Sequence, residues 1–405
     1  MKLELVVTGI GVVSAIGQGK NLFTSALLRG LSAFGIMRRA GRQLDSSYLG
    51  AEILVVVFLP ANGRPSLRVS SLSAQASLAV VQEAWIESRL SEVDPRRIGL
   101  IVGGSNVQQR ELTQIHESYR NRELFLRPTY ALSFIDSDLC GLCSAQFGIR
   151  GLAYTVGGAS ASGQLAIIQA AQAILANQVD VCIALGALMD LSHWECRALR
   201  AIGAMGSDRY ANEPSLACRP FDRDHDGFIF GEACGAVVIE SADSSQRRGL
   251  KPYAVLRGWG FTMDANRNPD PSLEGEIEAI KSAIHASELR PAQIDYVNPH
   301  GTGSIVGDET ELKALHACGL ANAYLNATKS LIGHGLSAAG TVEVIASLLQ
   351  MQAGELHPTR NLENPIDPTL NWVKEASITH TIENALTLSM GFGGINTAMC
   401  WQRPQ

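Results

Sequence analysis

The sequence predicts an α/β protein built from a duplicated unit. β-Branched apolar runs of strand length alternate with longer Ala- and Leu-rich stretches of helix length along most of the chain. Two strand–turn–helix passages repeat each other, Gly158-Ala159-Ser160-Ala161-Ser162-Gly163 and Gly335-Leu336-Ser337-Ala338-Ala339-Gly340. Their surroundings repeat as well. Ile98-Gly99-Leu100-Ile101-Val102-Gly103 has a counterpart in Ile294-Asp295-Tyr296-Val297-Asn298-Pro299, and Ala184-Leu185-Gly186-Ala187 resembles Ser389-Met390-Gly391-Phe392. Duplication of one α/β unit is the simplest account. Helices alternating with strands imply largely parallel sheets covered by helices. Two such halves, 1–250 and 251–405, would bury the two small-residue helices between the sheets.

The elements follow in order. Leu3–Thr8 reads as a strand, Gly9–Gly17 as a glycine-bearing turn, and Asn21–Arg29 as a helix. The turn lacks the third glycine and the acidic residue of a dinucleotide fingerprint, so no nucleotide site is expected there. Ser70–Leu90 is a helix, Ile98–Val102 a strand, and Glu111–Leu126 an exposed polar helix or excursion. Leu139–Phe147 is a helix, Gly151–Val156 a strand, and Gln164–Leu175 a buried helix, followed by the strand Val179–Leu185. Met189–Ser207 reads as irregular and Arg219–Gly227 as a charged loop. Gly235–Glu240 and Tyr253–Gly258 read as strands that pair as a hairpin or meander.

Composition narrows the function. A net charge of −6 argues against a broad nucleic-acid-binding face. The eight cysteines lie mostly in apolar runs, and Cys140 and Cys143 have no second CxxC to complete a zinc site. They read as buried reduced thiols, and no metal is expected. The chain opens on a strand pattern without a visible signal peptide, and no apolar run reaches the roughly 20 residues of a membrane span. A cytoplasmic location is expected.

Chemistry concentrates at three junctions. Between the strand ending at Val156 and the helix from Gln164, a tight small-residue turn forms a nucleophile elbow that would present Ser160 over a helix N-terminus. His300 follows the strand Tyr296–Pro299 and opens a loop rich in glycine. His334 follows Lys329-Ser330-Leu331-Ile332-Gly333 and opens a helix. Loops at the carboxyl ends of strands are where α/β folds keep their sites.

These motifs together resemble those of the β-ketoacyl synthases of the thiolase-like superfamily. The match runs from Val6-Val7-Thr8-Gly9-Ile10-Gly11 through Arg219-Pro220-Phe221-Asp222, Asp226-Gly227-Phe228 and Gly231-Glu232. It continues through His300-Gly301-Thr302-Gly303, Gly307-Asp308, Lys329-Ser330, Gly333-His334 and Ala338-Ala339-Gly340, and ends at Gly391-Phe392-Gly393-Gly394 with Asn396. The resemblance implies five layers, αβαβα, from a duplicated unit, and a homodimer. It places the family's two histidines at His300 and His334 and its lysine at Lys329, which a pair with Glu311 would hold. It places the hydroxyls lining the phosphopantetheine tunnel at Thr302 and Ser304. The gating turn falls on Gly391–Gly394, with Phe392 and Gly393 at the gate.

One position departs. Condensing members carry cysteine where this chain has Ser160. A thiol near pKa 8.5 ionises readily at a helix N-terminus. A hydroxyl needs a general base, and helix-dipole help of up to about 2 kcal/mol does not close that gap. Acyl transfer should therefore be impaired, while both histidines can still donate to the enolate oxygen formed when malonyl loses CO2. Serine with two retained histidines resembles the malonyl-carrier decarboxylases of polyketide β-branching cassettes, as do Trp194-Glu195-Cys196 and Gly203-Ala204-Met205. The resemblance implies conversion of malonyl-ACP to acetyl-ACP, with no tightly bound cofactor and the carrier's phosphopantetheine arm as substrate handle. The carrier is expected to be acidic, and Arg120, Arg122, Arg127, Arg197 and Arg200 are candidate docking charges. Two rival readings are a condensing enzyme with Ser160 as nucleophile and a non-catalytic partner subunit like the chain-length factors.

Overall fold

The computed structural model describes residues 3–44, 46–58 and 71–405. Each half of the chain lays down the same pattern of strands. The first half orders them Leu5–Ser14, Ala233–Ser241, Val181–Gly186, Ile98–Gly103 and Ala153–Val156. The second orders them Ala254–Met263, Ile395–Gln402, Asn384–Gly391, Tyr296–Asn298 and Tyr324–Leu325, with Asn371–Trp372 added outside. In both halves the first two pairings are antiparallel and the next two parallel. The duplication is therefore present strand by strand, in mixed sheets and not the largely parallel ones expected.

The halves meet where Leu5, Val6 and Val7 pair antiparallel with Leu256, Val255 and Ala254, so the two sheets run into one another along that edge. The expected hairpin between Gly235–Glu240 and Tyr253–Gly258 does not form, because Leu5–Ser14 lies between these strands and pairs with both. Helix Leu72–Glu87 covers the outer face of the first sheet, and Ser70, where that helix was expected to start, lies outside the described residues. Leu273–Ala286 and Ile305–Ala317 cover the second sheet. Ser162–Leu175 and Ala339–Ala353 pack on each other between the sheets, which gives the layers αβαβα. Side-chain alternation assigns each strand to two cores: Leu100 and Val102 face the outer helix, and Ile101 faces the central pair.

The glycines of the first strand have a different purpose from the turn the sequence suggested. Strand geometry runs unbroken through Gly9 and Gly11 to Ser14. A Cβ at Gly9 would lie 2.7 Å from Ala84 O, and one at Gly11 would lie 1.9 Å from Val80 O. The missing side chains let the covering helix settle against the strand backbone. Gly258 and Gly260 repeat the device: added Cβ atoms there would lie 3.0 Å from Ala283 O and 2.0 Å from Ala279 O. A bulge precedes the glycine pair in both strands, between Val7 and Gly9 and between Leu256 and Gly258.

Met189–Ser207 also differs from expectation, since it contains helix His193–Ala201. The Ser192 side chain accepts from Trp194 N, and the Glu195 carboxylate accepts from Ser192 N at 2.8 Å, completing a capping box.

Gly11→Ala should lower the unfolding free energy by about 1–3 kcal/mol or more, read by urea denaturation. Gly35→Ala, whose Cβ would meet open space, should stay within about 0.5 kcal/mol of the parent.

Candidate active site

The elbow is built as its sequence suggested. Strand Ala153–Val156 gives way through Gly157 and Gly158 to a 3-10 turn, Ala159–Ala161, and then to helix Ser162–Leu175. Ala159 occupies the left-handed region at φ 47°, and its duplicate Leu336 does so at φ 50°. The strained turn is thus a property of the repeated unit. Gly158 N donates to Ser162 Oγ at 2.9 Å, and that hydroxyl donates to Ala159 O at 2.7 Å, which locks the turn. The two elbow helices then approach closely. A Cβ at Gly163 would lie 2.5 Å from Thr341 Oγ1, and one at Gly340 would lie 2.9 Å from Gln164 N. This contact carries Ser160, from the first half, to histidines of the second.

Ser160 Oγ lies 2.8 Å from His334 Nε2. His334 and His300 meet edge to face, with centroids 5.4 Å apart. The backbone of His334 is fixed by His334 N donating to Ile229 O at 2.7 Å and Gly231 N donating to His334 O at 3.1 Å. Gly231 is required there, since a Cβ would lie 1.9 Å from Ile332 O. His300 is held through its main chain: its N–H and that of Gly301 donate to the two oxygens of Glu311 at 2.5 and 2.8 Å.

Lys329 is buried beneath this pair. Its ammonium donates to His300 O at 2.5 Å, lies 3.4 Å from His300 Nδ1, and pairs with Glu343. The expected partner, Glu311, does not take it, because both Glu311 oxygens are already engaged by backbone N–H groups. An ammonium has only donors, so His300 Nδ1 is the acceptor and its proton sits on Nε2. Burial first, and then the Lys329 charge, hold both imidazoles well below their ordinary pKa, with His334 adding to the shift of His300. Both are neutral near pH 7. Burial raises Glu311 and Glu343 to about 7.

The cavity above these groups measures about 210 Å3. Ser160, His300, His334, Thr302, Ser304 and Phe392 line it, together with apolar Met189, Leu199, Phe228, Leu336 and Met390. Thr302 Oγ1 donates to Ser304 Oγ at 2.9 Å, so the two hydroxyls form one unit on the wall. Phe392 is 42% exposed. Gly393, at φ 90° in the same turn, is not among the lining residues. Gly391 lets the turn touch the elbow, since a Cβ there would lie 2.2 Å from Gly158 O. Among the described residues no cysteine lines the cavity, and all eight thiols are buried and free.

Reasoning from sequence missed Glu343 and Glu276. Glu343 is the one charged residue of Ala339–Ala353, and a lone charge on an apolar helix implies a buried partner. Glu276 lines the cavity and falls on the buried face of its helix with Ala279, Ile280 and Ala283, a spacing visible in the sequence. Of the candidate docking charges, Arg120, Arg122, Arg127 and Arg197 are exposed. Arg200 stacks on the Tyr48 ring at 4.5 Å and donates to Gly206 O at 3.2 Å, so it is structural.

Comparison with known proteins agrees with this architecture. Residues 3–245 match the β-ketoacyl synthase N-terminal domain, and residues 253–363 match its C-terminal domain. The chain is 61% identical to the polyketide biosynthesis malonyl-ACP decarboxylase PksF of Bacillus subtilis, over 98% of this chain and 96% of that one. It is 28% identical to 3-oxoacyl-[acyl-carrier-protein] synthase 2 of Coxiella burnetii, over 99% of both. Among solved structures, a β-ketoacyl synthase from Burkholderia phymatum superposes with TM-score 0.89 at 25% identity over the whole of both chains. The ishigamide ketosynthase/chain length factor superposes with TM-score 0.91 at 24% identity, again over the whole of both. The chain belongs to the β-ketoacyl synthase family, with the thiolase-like fold.

Glu343→Gln should cost about 3–5 kcal/mol of stability, because it strands the Lys329 charge in the interior. Urea unfolding of the variant against the parent measures it, and a change within error would show the pair to be dispensable.

Proposed function

We propose that the protein removes CO2 from malonyl carried on an acyl carrier protein and leaves acetyl-ACP, the unit used for polyketide β-branching. The observation that carries this reading is the state of the two imidazoles beside Ser160, which suits donation and not proton abstraction. When the carboxylate leaves as CO2, its bonding electrons move onto the thioester oxygen. His300 donates to that oxygen through Nε2–H, and His334 donates through Nε2–H when that nitrogen exchanges Ser160 Oγ for the substrate oxygen. Each such donor contributes roughly 2.7–4 kcal/mol to lowering the barrier. Lys329 keeps His300 in the donating tautomer. With no acyl group waiting at the elbow, the enolate is protonated and acetyl-ACP departs. The 61% identity to a malonyl-ACP decarboxylase supports the same chemistry.

Ser160 does not serve as a nucleophile in this account. A serine base needs an acceptor at its second nitrogen to hold the tautomer and stabilise the imidazolium. His334 Nδ1 has no hydrogen-bond partner among the described residues, and the Lys329 charge opposes protonation of the ring. Ser160 Oγ fills the space of the missing thiol and bonds His334 Nε2. The condensing alternative is disfavoured by the lack of a base for Ser160, and the inert-partner alternative by the retention of both imidazoles in the cavity.

The substrate arrives on the phosphopantetheine arm, for which Thr302 and Ser304 offer hydroxyls and the turn around Phe392 and Gly393 forms a gate. The carrier is acidic and meets exposed arginines such as Arg197. The protein acts as a homodimer in the cytoplasm. Strand Ala153–Val156 ends the first sheet with its outer edge unpaired among the described strands and Tyr154 exposed, and an open edge of this kind is suited to cover by a second copy.

Mass spectrometry of malonyl-ACP incubated with the protein should show acetyl-ACP and no acyl-enzyme. His300→Ala or His334→Ala should slow CO2 release by about a hundredfold or more, whereas Ser160→Ala should change it less than tenfold. An acyl adduct on Ser160, or a β-ketoacyl product from a primed carrier, would contradict the proposal. Because both imidazoles titrate well below their ordinary pKa, kcat should not fall as the pH drops from about 7 to about 6, where an ordinary imidazole gains its charge.

A further inference from the structure

Decarboxylation of a malonyl thioester consumes a proton. The carbon–carbon bond breaks, CO2 leaves, and the enolate carbon must take H+ to become the methyl group of acetyl. The bonding of the cavity groups leaves few that can give it. The two histidines use their protons on the enolate oxygen. Lys329 is bound to Glu343 and to His300 O. Ser160 is bound to His334. Glu311 uses both carboxyl oxygens to accept from backbone N–H groups.

Glu276 remains. It is 2% exposed, on the inner face of helix Leu273–Ala286, and lines the same cavity as Ser160 and the histidines. Its Oε2 is buried without a hydrogen-bond partner among the described residues. A buried carboxylate without partners is strongly disfavoured, whereas the protonated acid is a donor waiting for an acceptor. The groups acting on it are also acids: Glu311 from helix Ile305–Ala317 and Asp264, just past strand Ala254–Met263. Asp308 and Lys329 act on Glu311 from its other side. Burial, then Glu311 and Asp264, raise the Glu276 carboxyl well above its ordinary range, so the acid form persists at neutral pH.

We propose that Glu276 is the acid that protonates the enolate carbon. Its O–H bond breaks as the C=C electrons of the enolate form the new C–H bond, the oxyanion lone pair restores the C=O bond, and Glu276 is left as a carboxylate. Repulsion from Glu311 and Asp264 then favours its reprotonation from water before the next turnover. The proposal rests on the decarboxylase reading and adds the residue that completes the reaction.

The test compares the full-length protein with Glu276→Gln and Glu276→Ala on malonyl-ACP, following acetyl-ACP by mass spectrometry. Glu276→Gln should lower kcat by about a hundredfold and leave KM within about twofold. The wild type should lose kcat as the pH rises through the titration of the acid, and Glu276→Gln should lack that alkaline limb. Added imidazole near pH 7, where a sizeable share is imidazolium and can give a proton, should restore part of the rate to Glu276→Ala, which a purely structural role would not allow. An active wild type matched by Glu276→Gln in kcat and pH profile would overturn the proposal, as would a crippled Glu276→Ala that imidazolium does not rescue. A wild type that forms no acetyl-ACP would instead overturn the decarboxylase reading beneath it.

Discussion

One ammonium ion buried between the central and second-sheet layers sets the terms for the site. Lys329 is 1% exposed and sits against Glu343, the carbonyl of His300 and the Nδ1 face of the same imidazole. A buried charge is tolerated only when paired and hydrogen-bonded, and each of those contacts has a second consequence. Glu343 ties the lysine to the elbow helix of the second half. The carbonyl contact fixes the loop from which His300 projects. The imidazole contact orders its tautomer and suppresses its protonation. The positive field then reaches His334 and adds to burial, the larger cause, in keeping both rings neutral.

The elbow reads differently against that field. Its backbone is that of a nucleophile site: a strained turn at Ala159, a locking hydroxyl at Ser162, and a side chain offered at the start of a helix. A thiol placed there would ionise with help from the helix and the lysine. A hydroxyl gains little from either, because it needs a base, and the charge that would favour a thiolate weakens the bases at hand. On the proposed function, the same electrostatic arrangement serves the enolate half of the chemistry and leaves serine without a base, so that one change of side-chain atom, sulfur to oxygen, separates the two outcomes.

Much of this was legible in the sequence. The duplication, the elbow, and the positions of His300, His334 and Lys329 all follow from short glycine-flanked motifs whose spacing is local. What was missed depends on contacts between distant segments. Gly9 and Gly11 look like a turn until helix Leu72–Glu87 is seen lying against them, although the same spacing at Gly258 and Gly260 was available as a clue. Glu311 and Glu343 are equally plausible partners for Lys329 in one dimension, and only the fold shows that two backbone N–H groups already occupy the first. The antiparallel pairings of the mixed sheets join segments far apart in sequence, Leu5–Ser14 and Val181–Gly186 with Ala233–Ser241 and Ala254–Met263 with Ile395–Gln402, apart from the local hairpin of Asn384–Gly391 with Ile395–Gln402. The capping box at Ser192 and Glu195 is readable in the sequence and marks the helix inside Met189–Ser207.

The central claim is that both imidazoles stay neutral, with the proton of His300 on Nε2. The most direct measurement is 15N NMR of protein labelled at histidine, with His300→Ala and His334→Ala used for assignment. The account predicts neutral-ring shifts for both residues down to about pH 6, where an ordinary histidine is largely protonated, and an Nε2–H tautomer for His300. Imidazolium shifts for either ring near neutral pH, or a proton on His300 Nδ1, would contradict it.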